Sequence, residues 1–201
     1  MKNRKKSNNF YQNFFKDIAD TALNIDIRKL EKIVTILIKL RKNSGRLFFI
    51  GVGGSAANCS HAVNDFRKLC EIDAITPLDN TSELTANIND NGWDNSLLNH
   101  LKISKISKND ALFVLTVGGG NLKKNVSVNL IKSINYAKKN KIKVIGICGK
   151  KDGYLQQNGD IVINVPNKNS SFVTPYSESF QSVLLHSIVS DPKLQIKKTK
   201  W

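Results

Sequence analysis

Two short apolar runs end in glycine-rich turns that open directly into helical patterns, and few folds accommodate that punctuation. Residues 46–50 (RLFFI) run into Gly51-Val52-Gly53-Gly54-Ser55, and residues 56–70 then read as helix. Residues 111–115 (ALFVL) run into Thr116-Val117-Gly118-Gly119-Gly120-Asn121, and residues 123–140 return to helix. Two further strands are expected at 143–147 and 160–165, with a weaker one at 71–76 closed by Pro77. Short helices are expected at 82–89 and 94–103, and a helical turn at 153–158. A final helix is expected from Thr174-Pro175 to about Ser190. Strand alternating with helix predicts an α/β, doubly wound, mostly parallel sheet covered on both faces.

Two amphipathic helices precede this pattern. Residues 9–24 align Phe10, Phe14, Ile18 and Ala22, and residues 27–42 align Leu30, Ile33, Val34, Leu37 and Leu40. Such stripes need a partner, either the following domain or another subunit. Residues 1–8 and 191–201 read as frayed tails.

Net charge bounds the partners. Of the formal +15, four charges lie in residues 1–8 and a net three in residues 190–201, leaving +8 spread along the body. With 24 asparagines beside the lysines, the charge reads as compositional bias, so no specific nucleic acid is expected. An anionic small substrate fits the body charge. No apolar run reaches the ~18 residues of a membrane span, so no membrane partner is expected. Cys59, Cys70 and Cys148 lack metal-type spacing and are odd in number, which points to a reducing, cytoplasmic setting.

The first glycine turn offers bare backbone and a helix N-terminus, an anion-binding arrangement. A dinucleotide fingerprint would need a third glycine, but Ala56 stands there, and no Walker Lys-Ser/Thr follows, so no nucleotide is expected. A second glycine turn from a neighbouring βα unit converges on the same crevice, which suits a phosphate ester. Both turns are also compatible with plain turn chemistry. His61 and Asp65, four apart, share a helix face. Glu178 and His186, eight apart, lie about 80° from each other around a helix at ~100° per residue. The first pair also reads as a surface polar pair, and His186, within VLLHSIV, as a core histidine.

Together these residues resemble the sugar isomerase (SIS) domain family and, within it, the phosphoheptose isomerases. The resemblance rests on strand–GxGGS–helix, His61 six residues after Ser55, Asn89-Asp90 in N-D-x-G, a second strand–glycine loop, and a late helix with Glu178 eight before His186. It spans nearly everything from Phe10 to Val189. It implies a cytoplasmic homotetramer that converts sedoheptulose 7-phosphate to glycero-manno-heptose 7-phosphate through an enediol. That reaction is an early step toward surface-polysaccharide precursors. Residues 1–44 would be a helical extension for oligomerisation, 45–191 the sugar-phosphate domain and 192–201 a basic tail.

By the same resemblance, residues 52–55 (Val52, Gly53, Gly54, Ser55), Asn89, Asp90, residues 116–121 (Thr116, Val117, Gly118, Gly119, Gly120, Asn121) and Glu178 contact substrate. Asp65 and His186 form the acid–base pair, with either as carbon base. One zinc ion would be held by His61, Asp65, Glu178 and His186. The chain departs from the family pattern in places. Val52 stands for an Asn, Asp65 for a Glu and Glu178 for a Gln, and residues 116–121 replace a serine-rich S-T-S-G-x-S loop. Such departures also fit a second class, a non-catalytic module that binds a sugar phosphate or a protein such as a replication initiator.

Overall fold

The computed structural model describes residues 2–199, with side chains from Asn9 onward. The elements in order are α1 (Lys2–Leu23), α2 (Ile27–Lys42), β1 (Leu47–Ile50), α3 (Gly54–Cys70), β2 (Ala74–Ile75), α4 (Thr81–Asn91) and α5 (Trp93–Ile103). They continue with β3 (Ala111–Thr116), α6 (Val128–Lys139), β4 (Lys143–Cys148), α7 (Tyr154–Asn158), β5 (Ile161–Asn164) and α8 (Val173–Val189). All five strands are parallel, in the order β2-β1-β3-β4-β5. No helix among the described residues is long and apolar enough to cross a membrane.

β1 and β3 are buried at every position, which is why they read as continuous apolar runs rather than as alternation. Phe49 and Phe113 turn to one face, where their rings stack at 5.1 Å against the core built with α2, α3 and α8. Phe48, Ile50, Leu112 and Val114 turn to the other face and meet α5, α6 and α7. The stripe of α2 finds its partner within the chain, since Ile33, Val34, Leu37 and Leu40 are all buried in the first core. α1 is covered on one side only. Phe14 packs edge-on against Phe172 and Tyr176, while Phe10, Tyr11, Phe15 and Leu23 stay exposed.

Three expectations are corrected. The helix expected over 123–140 starts only at Val128. Asn121 and Val126 exchange backbone hydrogen bonds at 2.9 and 3.0 Å in a tight antiparallel bridge, and Asn125 and Ser127 take left-handed backbone, which a helix cannot contain. At the N-terminus helical backbone extends from Lys2, so 2–8 continue α1. At the other end, residues 191–199 are docked rather than frayed. Leu194 is fully buried, its carbonyl accepts from Arg41 at 2.6 Å, and the Ile196 and Lys197 amides donate to the Leu69 carbonyl. The tail expectation for Met1, Lys200 and Trp201 lies outside the described residues.

The amino ends of β1 and β3 are clamped by one ion pair. The Asp110 carboxylate accepts from the Arg46 amide (2.8 Å), the Arg46 guanidinium (3.0 Å) and the Ser107 amide (2.8 Å). Burial pushes this carboxyl up, but the Arg46 side chain and the two amides outweigh burial and hold it below the usual carboxylate value. The folded state therefore binds this proton more weakly than the unfolded chain does. The stabilisation is complete above the unfolded value of ~3.9 and is lost as pH falls through the lower folded one. Asp110→Ala leaves these donors unpaired. It is expected to cost about 2–3 kcal/mol at neutral pH, with a smaller deficit near pH 3, checked by urea melts across pH.

Candidate functional site

The site is built on two neighbouring helices, α3 and α8. α3 starts inside the first glycine turn. Gly53 holds φ +65° and ψ −131°, a conformation that side-chain-bearing residues rarely adopt, and it caps α3 without a side-chain hydrogen bond. The Ala56 amide donates to the Gly53 carbonyl at 2.9 Å, and the Gly54 and Ser55 amides are left for a ligand or another chemical group. That group is partly supplied by α8. A Cβ on Gly54 would stand only 2.5–2.7 Å from the Glu178 carboxylate atoms, so the carboxylate lies against the turn at the positive end of the α3 dipole.

Ser55 is buried, and its hydroxyl accepts from Gln181 Nε2 at 3.0 Å. Asn58 extends this bridge, donating to Gln181 Oε1 (3.0 Å) and to the Glu178 carbonyl (2.9 Å) and accepting from Ser182 (2.8 Å). These polar residues lock α3 to α8 at a fixed offset. Sequence reading passed over Asn58 and Gln181. Their signal was Gln181 three residues after Glu178, on the same helix face.

Two turns further along α3, His61 and Asp65 meet His186 from α8. His61 Nε2 and His186 Nε2 lie 3.2 and 3.5 Å from Asp65 Oδ2, and 3.3 Å from each other. The imidazoles are more than half exposed, 58% and 54%, while the carboxylate is 15% exposed. His186 is therefore not a core histidine; it looks outward from α8. Three potential ligand atoms converge, and Glu178 is not among them.

The second glycine turn is organised by α7. The Tyr154 and Leu155 amides donate to the Gly120 and Gly119 carbonyls, and a Cβ on Gly119 would come within 2.9 Å of Gly153 Cα. Bare backbone here serves the approach of α7 as well as any ligand. The Gly119 amide is spent on the Thr116 hydroxyl and the Asn121 amide on Val126. Among the described residues the Gly118 and Gly120 amides make no hydrogen bond. Val52 is half-buried and leans on the α5–α6 core. Asn89 and Asp90 are exposed at the end of α4, where Asn89 donates to Asp90. No hydrogen bond among the described residues joins them to the other candidates. The third histidine, His100, ties α5 to Glu83 of α4 at 2.7 Å. A cavity of about 680 Å³ lies between α1 and the carboxyl ends of β4 and β5, and none of these candidates lines it.

Both glycine turns follow strands that are neighbours in the sheet, β1 and β3, where the strand order reverses; open α/β sheets bind ligands at such a point. A family model described as SIS domain matches residues 10–149. The phosphoheptose isomerase of Aneurinibacillus thermoaerophilus is 26% identical over 189 residues, which is 92% of this chain and 88% of that protein. Phosphoheptose isomerase 2 of Campylobacter jejuni is 28% identical over 162 residues, 74% and 77% of the two chains. The solved structure of a phosphoheptose isomerase from Francisella tularensis has the same fold, with a TM-score of 0.78 at 19% identity over 94% of this chain and 97% of that one. With the model matched over most of its length and this sheet order, the chain belongs to the SIS domain family.

Proposed function

We propose that the protein is an aldose–ketose isomerase acting on a phosphorylated sugar, most specifically sedoheptulose 7-phosphate. The observation that carries this reading is the convergence of His61, Asp65 and His186, accessible from solvent and on the same helix pair as the glycine turn. The names of the relatives support the substrate class.

Converting a 2-ketose to an aldose takes a proton from C1, places one on the C2 carbonyl oxygen, and returns one to C2 as O1 becomes the carbonyl. A base and an acid on one side of the sugar suffice. Asp65, as an oriented carboxylate, takes the carbon proton. His186, 3.5 Å away, supplies the oxygen proton, and the reverse assignment uses the same atoms. The substrate phosphate is received at the second turn by the Gly118 and Gly120 amides. Hydroxyls of the sugar are received at the first turn, by the α3 amides and Glu178. Ser55 acts through Gln181, holding α3 against α8.

The two imidazoles and the carboxylate also suit zinc. Bonds of 2.0–2.2 Å in a tetrahedral arrangement put ligand atoms about 3.4 Å apart, and the three observed separations span 3.2–3.5 Å. His61, Asp65 and His186 would hold the ion, with Glu178 outside the set. When bound it would supply Lewis-acid polarisation of the carbonyl in place of the proton from His186, whose Nε2 would then be a ligand.

The exposed side of α1 is assigned to contact with further copies of the chain, up to a homotetramer. Phe10, Tyr11 and Phe15 present a contiguous aromatic surface there.

Incubation with sedoheptulose 7-phosphate, with and without zinc, is expected to yield an aldose phosphate. Tight binding without conversion would favour the non-catalytic class. His186→Asn should lower turnover about 10²-fold or more while shifting the melting temperature little, because the ring is exposed; a lower melting point with intact turnover would sink the mechanism. Calorimetry should show about one zinc per chain, and Asp65→Asn should weaken it at least ~10-fold, whereas Glu178→Gln should not. Light scattering should show an oligomer that Phe15→Glu dissociates; a wild-type monomer would refute the α1 assignment.

A further inference from the structure

The end of the sheet opposite the glycine turns carries a second cleft, of about 430 Å³, between the last turn of α2 and the amino ends of β3 and β4. Its floor is apolar, from Ile36, Leu40 and Ala111, and Lys39, Lys108, Lys141 and Lys143 stand around it. Asn43 and Asn109 also line it, and their side-chain amides make no hydrogen bond among the described residues.

A parallel sheet delivers helix C-termini to this end, and lysines there complement the helix dipoles without any ligand. Two observations go further. The nearby acids are already committed: Asp110 pairs with Arg46, and Asp160 with Lys138 and Lys143. Lys39, Lys108 and Lys141 accordingly have no ion-pair partner among the described residues. Lys141 moreover occupies a left-handed backbone position, φ +58°, which glycine or asparagine adopts at lower cost. Like charges are thus gathered around one concavity whose lining carboxylate, Asp110, is already taken by Arg46.

We propose that this cleft binds a nucleoside polyphosphate. The volume is that of a small-molecule site. The base lies on the apolar floor with its edge toward Asn43 and Asn109, and the phosphates lie among the lysines. The site is separate from the crevice between the glycine turns, where no nucleotide is expected, and does not depend on the isomerase reading.

The test is calorimetric titration of the full chain with ATP at about 150 mM salt, where long-range attraction is screened. One ATP per chain is expected. The Lys39→Gln/Lys108→Gln/Lys141→Gln variant should bind at least ~10-fold more weakly, and Lys108→Glu alone should also weaken binding. A control removing the same charge elsewhere, Lys16→Gln/Lys124→Gln/Lys193→Gln, should bind like wild type. Inorganic tripolyphosphate, lacking a base, should bind more weakly than ATP. Absence of ATP binding, an equal loss in the control variant, or tripolyphosphate or a short DNA duplex binding as tightly as ATP would each overturn the proposal.

Discussion

A parallel sheet cannot be closed by hairpins. Each strand must be followed by a return crossing over one face, so every strand leaves the sheet at the same edge. In this chain β1 has β2 on one side and β3 on the other, and the helices that follow β1 and β3 pack on opposite faces. The two glycine turns are therefore held side by side with helices diverging behind them. The position of α3 follows from that, and with it the first-turn amides, His61 and Asp65. The packing that enforces the arrangement is dry and two-sided, with Phe49 and Phe113 stacked on one face and Phe48 and Leu112 buried on the other.

Much of this was legible in the residues because strands buried on both faces appear as unbroken apolar runs, and the turns announce themselves by glycine. The His61–Asp65 pair was legible from its spacing. Its meeting with His186 was not, since no periodicity says that α8 lies beside α3; family resemblance suggested it and the structure shows the contact. Other features were invisible for physical reasons. Leu122, Lys123 and Lys124 are good helix formers, so the bridge between Asn121 and Val126 looked like the first turn of α6. The side-chain direction of Ser55 depends on a partner, Gln181, lying 126 residues away. The segment around Leu194 looked like a charged tail because lysines dominate it. One buried leucine and two amides given to the Leu69 carbonyl are enough to dock it.

Glu178, where the resemblance expects a Gln, changes the local electrostatics of the first turn. Glu178 places a carboxylate against the turn whose bare amides would otherwise suit a phosphate. The helix dipole stabilises that carboxylate, and the carboxylate in turn favours hydroxyl donors over anionic oxygens at this turn. The second turn carries no acid, and two of its amides are uncommitted. Under the proposed function, a ligand with one anionic end and one hydroxylated end is thereby given a direction along the crevice, set before any reacting group is considered.

The polar bridge between α3 and α8 joins residues that are 120 to 126 positions apart in sequence, and His61 and His186 are 125 apart. Contacts of such separation carry a loop-closure cost that local contacts do not. A chain could thus complete β1, α3 and β3 and still have nothing that resembles a site, because α8 has not yet docked. The convergence of His61, Asp65 and His186 therefore works as an internal witness to one step of folding: a probe sensitive to that cluster reports the docking of α8 on α3.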